Sequence, residues 1–237
     1  MDDWFNRLAS DSELTSSVAQ ELHKVGFIII QGPVACANLG RLAAAYDASV
    51  SGADPSDVSI GSTTTRVHDF VNRGPDFDGL YVYRPILGAC CSVIGQPFKL
   101  STMLARTVNP HSPAQALHVD FPRDADGWPM VGFIIMVDEF RSDNGATRFV
   151  PGSHKWSTSP AADHARQALA CGPAGSMIIY NGSIWHGHSA NQTGEPRRSI
   201  QGAYIRRDAE PGVNQAARIR QETLGRIGAL AKYVLAV

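Results

Sequence analysis

Cysteine is scarce in this chain. Its four residues, Cys36, Cys90, Cys91 and Cys171, include one adjacent pair and no two separated by two residues. That usage excludes the common structural zinc patterns and a disulfide framework, and the thiols are expected as buried free side chains. No run reaches the roughly 18 to 20 apolar residues that cross a bilayer. The opening residues MDDWFNRLASDSEL lack a basic stretch followed by an apolar one, so no secretory signal is expected and the protein is placed in the cytoplasm. Neither sign of charge dominates: 21 basic against 22 acidic residues leave a formal charge of −1, and nothing calls for nucleic acid or a membrane as partner. Repeats and low-complexity tracts are missing too. What remains is a 237-residue chain with 43% apolar residues, which suits one globular domain with a substantial core.

The first part of the chain reads as helical. Leu14, Val18 and Leu22 recur every four residues, Glu13 supplies acid to a first turn and Gly26 a stop, so a helix is expected over 12–25. FIII at 27–30 reads as a buried strand. A second helix is expected over 35–49, a loop over 51–64 and a third helix over about 77–94. From residue 98 the pattern changes to short segments rich in Val, Ile, Phe and Thr: FKLSTMLARTV, ALHVDF, VGFIIMVDEF, ATRFVP, SMIIYN and RRSIQGAYIRR. SDNGA at 142–146 separates two of them as a turn. Strands at this spacing without intervening helices predict a barrel or sandwich. A closing helix near 213–235, basic at Arg218, Arg220 and Arg226, is expected outside the sheet, solvated or in a dimer contact. The layout is thus one α+β domain over 1–237: a mainly helical support at 1–97, a β core at 98–206 and a C-terminal helix at 207–237.

HVD at 118–120 sits in the expected strand ALHVDF. Side chains alternate across a strand, so His118 and Asp120 point to one face. A His-x-Asp triplet is common by chance and carries little alone. His186 follows 68 residues later, behind the strand SMIIYN and the turn Gly182–Ser183, and Arg197 lies 11 residues beyond it. Two imidazoles and a carboxylate can occupy one triangular face of an octahedral Fe(II) ion and leave three positions open. An arginine beside that metal is what an anionic co-substrate needs.

VGFIII, GQPFKL, LHVD, DNGATRFVPGSHKW and WHGHSANQTGEPRRS, in this order, resemble the phytanoyl-CoA dioxygenase-like family of Fe(II)- and 2-oxoglutarate-dependent oxygenases. The resemblance covers most of the chain, to about Arg206. It implies a double-stranded β-helix, the jelly-roll or cupin-like core, with flanking helices. It implies that His118, Asp120 and His186 bind iron and form the catalytic centre, and that Arg197 grips the distal carboxylate of 2-oxoglutarate with two parallel hydrogen bonds. Gln115 matches a position that contacts the co-substrate in some members of the family, and Thr147 is expected to hydrogen-bond a co-substrate carboxylate from the hairpin. Asn191 and Thr193 follow the family pattern and are expected to brace the loop carrying His186 and Arg197. Arg198 is a rival to Arg197, excluded only by spacing. His188 departs from the family pattern, which has a small residue there, and is expected to face substrate or co-substrate. His154 belongs to a turn, and His23, His68, His111 and His164 show no partner pattern.

By the same resemblance, O2 and 2-oxoglutarate are consumed, succinate and CO2 are released, and an unactivated carbon of a small molecule is hydroxylated. The carboxylate of Asp120 sets the chain apart from related halogenases, where a small residue leaves room for chloride. Arg66, Arg106, Arg123, Trp128 and His188 are the expected substrate contacts, for an anionic or aromatic ligand. Short loops favour a small metabolite or natural-product intermediate over an acyl-CoA. Desaturation, epoxidation or ring formation on the same iron centre stay open, as does a non-catalytic metal-binding β-barrel. The protein is expected to act as a monomer or homodimer.

Overall fold

The alternating segments form two antiparallel sheets in the computed structural model, which describes residues 3–158 and 166–237; His164 lies outside the described residues. Among the described residues ten strands are present: β1 Phe27–Gln31, β2 Val58–Ile60, β3 Thr64–Val67, β4 Phe98–Val108, β5 Met130–Met136, β6 Thr147–Phe149, β7 Ala168–Ala170, β8 Ser176–Asn181, β9 His186–His188 and β10 Arg197–Arg206. Seven of them make a large sheet in the order β1-β8-β5-β10-β4-β3-β2, and three make a small one, β7-β6-β9.

β5 shows why the sheets stack. All seven of its residues are buried, so it reads as a continuous apolar run rather than an alternation. Val131, Phe133 and Ile135 point to one side and join the main core with Phe77, Leu87, Cys90 and Leu22 beneath the helices. Ile134 and Met136 point to the other side and meet Phe149 and Ala170 of the small sheet. The small sheet therefore covers the inner face of the large one, with Phe27 stacked on Phe149 at 4.3 Å between centroids. This is the jelly-roll arrangement expected from the sequence.

Among the described residues seven α-helices flank it: α1 Asp3–Ser10, α2 Ser16–Val25, α3 Leu39–Ser51, α4 Arg84–Val93, α5 Gln215–Arg218, α6 Gln221–Arg226 and α7 Ala229–Leu235. α1 was not expected. α2 starts four residues later than 12, because the Thr15 side chain caps it by accepting from the Val18 amide. α4 starts at Arg84 rather than near 77, with Pro85 in its first turn, where a missing amide hydrogen costs nothing.

Other expectations are corrected as well. β1 is an edge strand with only Ile28 buried and Ile29 exposed, not a buried one. The loop expected at 51–64 contains β2 and the start of β3, whose β-branched residues are hidden among Gly, Ser and Asp. Sheet thus begins well before residue 98. ALHVDF does not form a regular strand: only His118 pairs, by an isolated bridge to His186.

The closing helix is three short ones, broken by extended backbone at Ile219 and Ile227. Its arginines are not a free basic face. Arg218 pairs with Asp57 at 3.0 Å, Arg220 with Asp69 at 3.2 Å and Arg226 with Asp78 at 2.7 Å. Asp57 also holds Arg73 at 2.9 Å, and both side chains of that pair are only 10% exposed. These pairs tie the C-terminal segment to the 54–78 region beside the β2–β3 hairpin.

Removing Asp57 strands Arg73 in a dry site. Asp57→Ala is expected to lower the unfolding free energy by about 3 kcal/mol, whereas Arg218→Ala, at the half-exposed end, costs about 1 kcal/mol or less. Urea midpoints of the two variants check the ranking; equal losses would refute it.

Candidate metal centre and adjoining cavities

β9 and the segment before Phe121 meet in one reciprocal pair of backbone hydrogen bonds, beside a further bond from the Gln115 backbone amide to the His188 carbonyl. The His118 amide donates to the His186 carbonyl and the His186 amide to the His118 carbonyl, each at 2.9 Å. Gly187 permits that approach: a Cβ there would sit 3.0 Å from the Ala116 carbonyl oxygen. The Asp120 and Phe121 amides then both donate to the Gly182 carbonyl, which turns the Asp120 side chain back toward the two imidazoles. Convergence of His118 and Asp120 thus comes from a bridge and a turn, not from strand alternation.

One ligand atom from each of His118, Asp120 and His186 lies within 4.8 Å of the others. His118 Nδ1 donates to the Ala116 carbonyl at 3.2 Å and His186 Nδ1 to the Ile184 carbonyl at 2.9 Å. With the proton on Nδ1, each Nε2 presents a lone pair. These lone pairs face the carboxylate, Asp120 Oδ1 at 3.6 Å from His118 and Oδ2 at 3.5 Å from His186. Both separations exceed a hydrogen bond. Burial also holds the His186 imidazole below its usual range, favouring the neutral ring despite the neighbouring carboxylate. Three acceptors thus confront one another with no donor among them, and a cation satisfies that arrangement. Bonds of about 2.0–2.2 Å to a first-row metal put neighbouring facial ligands about 3 Å apart, within a small inward movement of what is seen.

Tyr180, on β8, was not anticipated. Its hydroxyl donates to Asp120 Oδ2 at 2.7 Å, and burial followed by the Asp120 charge pushes its pKa well up, so it stays a donor. Its ring and that of Phe149 also flank the His186 ring, at 4.9 and 5.6 Å. The sequence held a usable signal: alternation along SMIIYN puts Tyr180 on the same face as Ile178, the face toward the small sheet. Gly132, its cross-strand partner, leaves the space the Tyr180 ring occupies.

Two cavities meet at this centre. The narrow one, of about 40 Å³, is lined by Gln115, Thr147, His188 and Arg197 together with Asp120, Tyr180 and His186. With Arg106, five residues singled out from the sequence beside the ligands therefore share one slot. Arg197 is 1% exposed. Its Nη2 donates to the Gly145 carbonyl at 2.9 Å and its guanidinium lies 3.9 Å over the Phe140 ring, but Nε and Nη1 have no partner. Burial first, and then the Arg106 charge, push its pKa down to about 9. Arg198 points the other way, onto Asp138 at 2.6 Å and Asp47 at 2.7 Å, which separates the two rivals. His188 donates from Nδ1 to the Ser189 carbonyl and accepts at Nε2 from the Thr63 hydroxyl; burial, chiefly, pushes it down to about 4, so it is neutral. Asn191 spans the loop, donating to the Asn109 and Glu195 carbonyls and accepting from Thr193, as expected of a brace.

The wider cavity, about 430 Å³, is lined by Arg66, Leu104, Arg106, His118, Phe121 and Met130 among others. Arg106 borders both spaces, its Nη2 on the Gln115 side-chain oxygen at 2.8 Å and its Nη1 on that of Gln201 at 3.4 Å. Arg123 and Trp128 are a correction. The Arg123 guanidinium lies over the Trp128 ring at 5.2 Å and the indole donates to the His154 carbonyl; neither lines this cavity. Trp128 is consumed by packing, between His23 and His154.

An antiparallel double-stranded β-helix whose open end gathers two histidines, a carboxylate and a buried arginine defines the class. The chain belongs to the phytanoyl-CoA dioxygenase (PhyH) family, whose model matches residues 22–199. Dioxygenase cdmA of Talaromyces verruculosus is 42% identical over 106 residues, 39% of this chain and 35% of that protein. Dioxygenase sphC of Aspergillus fumigatus is 26% identical over 188 residues, 73% of this chain and 51% of that protein. The matches thus span about a third and a half of these two relatives. Among solved structures, the epimerase SnoN, in complex with Fe3+, alpha-ketoglutarate and nogalamycin RO, superposes with a TM-score of 0.67 at 17% identity, covering 86% of this chain and 84% of that one. At that identity the likeness shows the fold.

Tyr180→Phe deletes one hydroxyl and leaves the ring packing. It is expected to weaken Mn(II) binding by about tenfold or more with the unfolding midpoint little changed, read by metal titration with paramagnetic detection. Unaltered Mn(II) affinity would remove Tyr180 from the support of Asp120.

Proposed function

We propose that this protein is an Fe(II)- and 2-oxoglutarate-dependent dioxygenase that hydroxylates an unactivated carbon of a small metabolite or natural-product intermediate. The carrying observation is a pair of complementary electrostatic deficits side by side: three converging acceptors without a cation, and a buried guanidinium with two nitrogens lacking an acceptor. A divalent metal answers the first and a dicarboxylate the second. A chain with one anionic end for the metal and one for Arg197 answers both at once. SnoN, a protein of the same fold, holds iron and alpha-ketoglutarate together, which supports this pairing.

In this reading His118, Asp120 and His186 hold the iron, and Arg197 receives the distal carboxylate in the narrow slot. Thr147 and Gln115 line that slot, while neutral His188 adds a polar wall without a charge. Bound there, iron with 2-oxoglutarate supplies an oxidant from O2, releasing succinate and CO2 while one oxygen atom goes to the substrate. The residues of this chain do the positioning. Tyr180 fixes the carboxylate of Asp120, and the two carbonyl-anchored imidazoles cannot rotate away. Phe149 and Ile134 keep the inner wall dry, so charges there act at low dielectric. The substrate occupies the wider cavity, which opens on the exposed side of His118 and Asp120.

His118→Ala, Asp120→Ala and His186→Ala are each expected to abolish succinate formation from 2-oxoglutarate in the presence of Fe(II) and ascorbate. A wild-type protein that neither forms succinate nor binds 2-oxoglutarate more tightly with Mn(II) would favour a non-catalytic metal-binding barrel. Product analysis separates hydroxylation from desaturation, epoxidation or ring formation.

Arg197→Met tests the slot from the other side. Without ligand, this variant should be as stable as the parent or more so, because an unpaired buried charge is replaced by an apolar chain of similar length. Co-substrate at a hundred times its dissociation constant stabilises the parent by about 2.7 kcal/mol. The variant should lose that gain, and a thermal shift as large as the parent's would assign the distal carboxylate elsewhere.

A further inference from the structure

The wall of the wider cavity carries a cation that the folded chain leaves unanswered. Arg66 on β3 and Arg106 on β4 are direct cross-strand partners, and both line the cavity. Residues opposite each other on antiparallel strands project to the same face, and like charges there are destabilising. Their neighbours Val67 and Ala105 are also paired and face the buried core on the opposite side of the sheet, which fixes the two arginines on the cavity side. Arg106 is held by amide oxygens of Gln115 and Gln201 rather than by a carboxylate, and its Nε has no partner. Arg66 forms neither an ion pair nor a side-chain hydrogen bond among the described residues.

Charge bookkeeping sharpens the point. The charged residues bordering the two cavities are Arg66, Arg106 and Arg197 against Asp120 and Glu210. A metal dication and a dianionic co-substrate cancel, so the loaded site keeps one positive charge. Leu104, Phe121, Met130, Ala203 and Ile205 give the wall an apolar component beside the neutral polar groups of Ser101, Thr102, Tyr180 and Gln201. A volume of about 430 Å³ lies toward the lower end of the roughly 300–1,000 Å³ of small-molecule sites, which suits a small substrate.

We propose that the substrate is a small amphipathic monoanion, a carboxylate on an apolar body, and that Arg66 receives its carboxylate at the cavity rim while the apolar part lies toward the metal centre. The proposal rests on the oxygenase reading above. Arg66 is then a specificity-determining residue: it fixes which carbon lies beside the iron by anchoring the other end of the molecule.

The test uses the full chain loaded with Mn(II) and saturating 2-oxoglutarate, titrated calorimetrically with 3-phenylpropanoate and with its neutral match, 3-phenylpropanamide. The acid is expected to bind at least about tenfold more tightly than the amide, as a charge-assisted pair requires. Arg66→Gln should bring acid and amide within about twofold of each other, and Arg66→Lys should restore part of the preference. The affinity for 2-oxoglutarate, titrated separately, should stay within about twofold in both variants. Equal binding of acid and amide by the wild type, a preference that survives Arg66→Gln, or a loss of 2-oxoglutarate affinity on Arg66→Gln would each overturn the assignment. A wild type that binds no 2-oxoglutarate would instead defeat the oxygenase reading, so the two failures are distinguishable.

Discussion

Lone pairs of His118, Asp120 and His186 face one another at 3.5 to 3.6 Å, and much of the surrounding structure resists the relief that rotating one of them away would bring. Each imidazole is pinned through Nδ1 to a carbonyl two residues before it, and the carboxylate is pinned by Tyr180. Repulsion between acceptors is thereby built into the folded state and becomes binding energy for a cation. The cost is carried by the packing of β5 and β8, whose apolar residues are buried on both faces of the large sheet. A centre of this kind needs rigid walls, because a loose one would simply relax.

Arg197 repeats the logic with opposite sign. Its guanidinium is desolvated, held at one nitrogen by a carbonyl, steadied by the face of Phe140 and left open at two nitrogens. Arg198 next to it is satisfied twice over on the other side of the strand. Two adjacent arginines of one β-strand thus have separate surroundings, one holding α3 and the segment after β5 through Asp47 and Asp138, the other buried with two nitrogens open, as the proposed anion site requires. Strand alternation makes the division, and Asp138 enforces it by giving Arg198 a partner outside.

The parts legible in the sequence were those set by local chemistry over short spans: the two-residue step from His118 to Asp120, the 11-residue step from His186 to Arg197, and the shift from helical to alternating patterning. Less was legible where tertiary contacts decided. ALHVDF has strand composition, yet it makes one bridge because β9, its partner, is only three residues long. Trp128 looked available for ligand stacking but is held between two histidine rings. The basic C-terminal helix looked like a free surface until Asp57, Asp69 and Asp78, scattered through a loop-like stretch, met its arginines. Tyr180 was overlooked because a tyrosine in an apolar strand resembles ordinary core, and only the register with Gly132 shows its hydroxyl reaching Asp120.

The remaining asymmetry lies between the two cavities. The narrow slot is polar, enclosed and fully built: Arg148 donates to the Gln115 carbonyl at 2.6 Å, Gln115 in turn orients Arg106, and the Gln115 amide donates to the His188 carbonyl. The wide cavity mixes apolar side chains such as Leu104, Met130 and Ile205 with Ser101, Thr102 and the two arginines, and one edge is formed by the β2–β3 hairpin, whose Ile60 is 80% exposed. That contrast fits the proposed division, with a common co-substrate in the first and a particular substrate in the second. The hairpin bearing Arg66 is anchored at its base, where the His68 amide donates to the Asp57 carbonyl and Asp57 grips Arg73 and Arg218. The ion pairs that fasten the C-terminal segment therefore also set where Arg66 stands, and under the role proposed for Arg66 they couple the stability of a remote surface to the selectivity of the site.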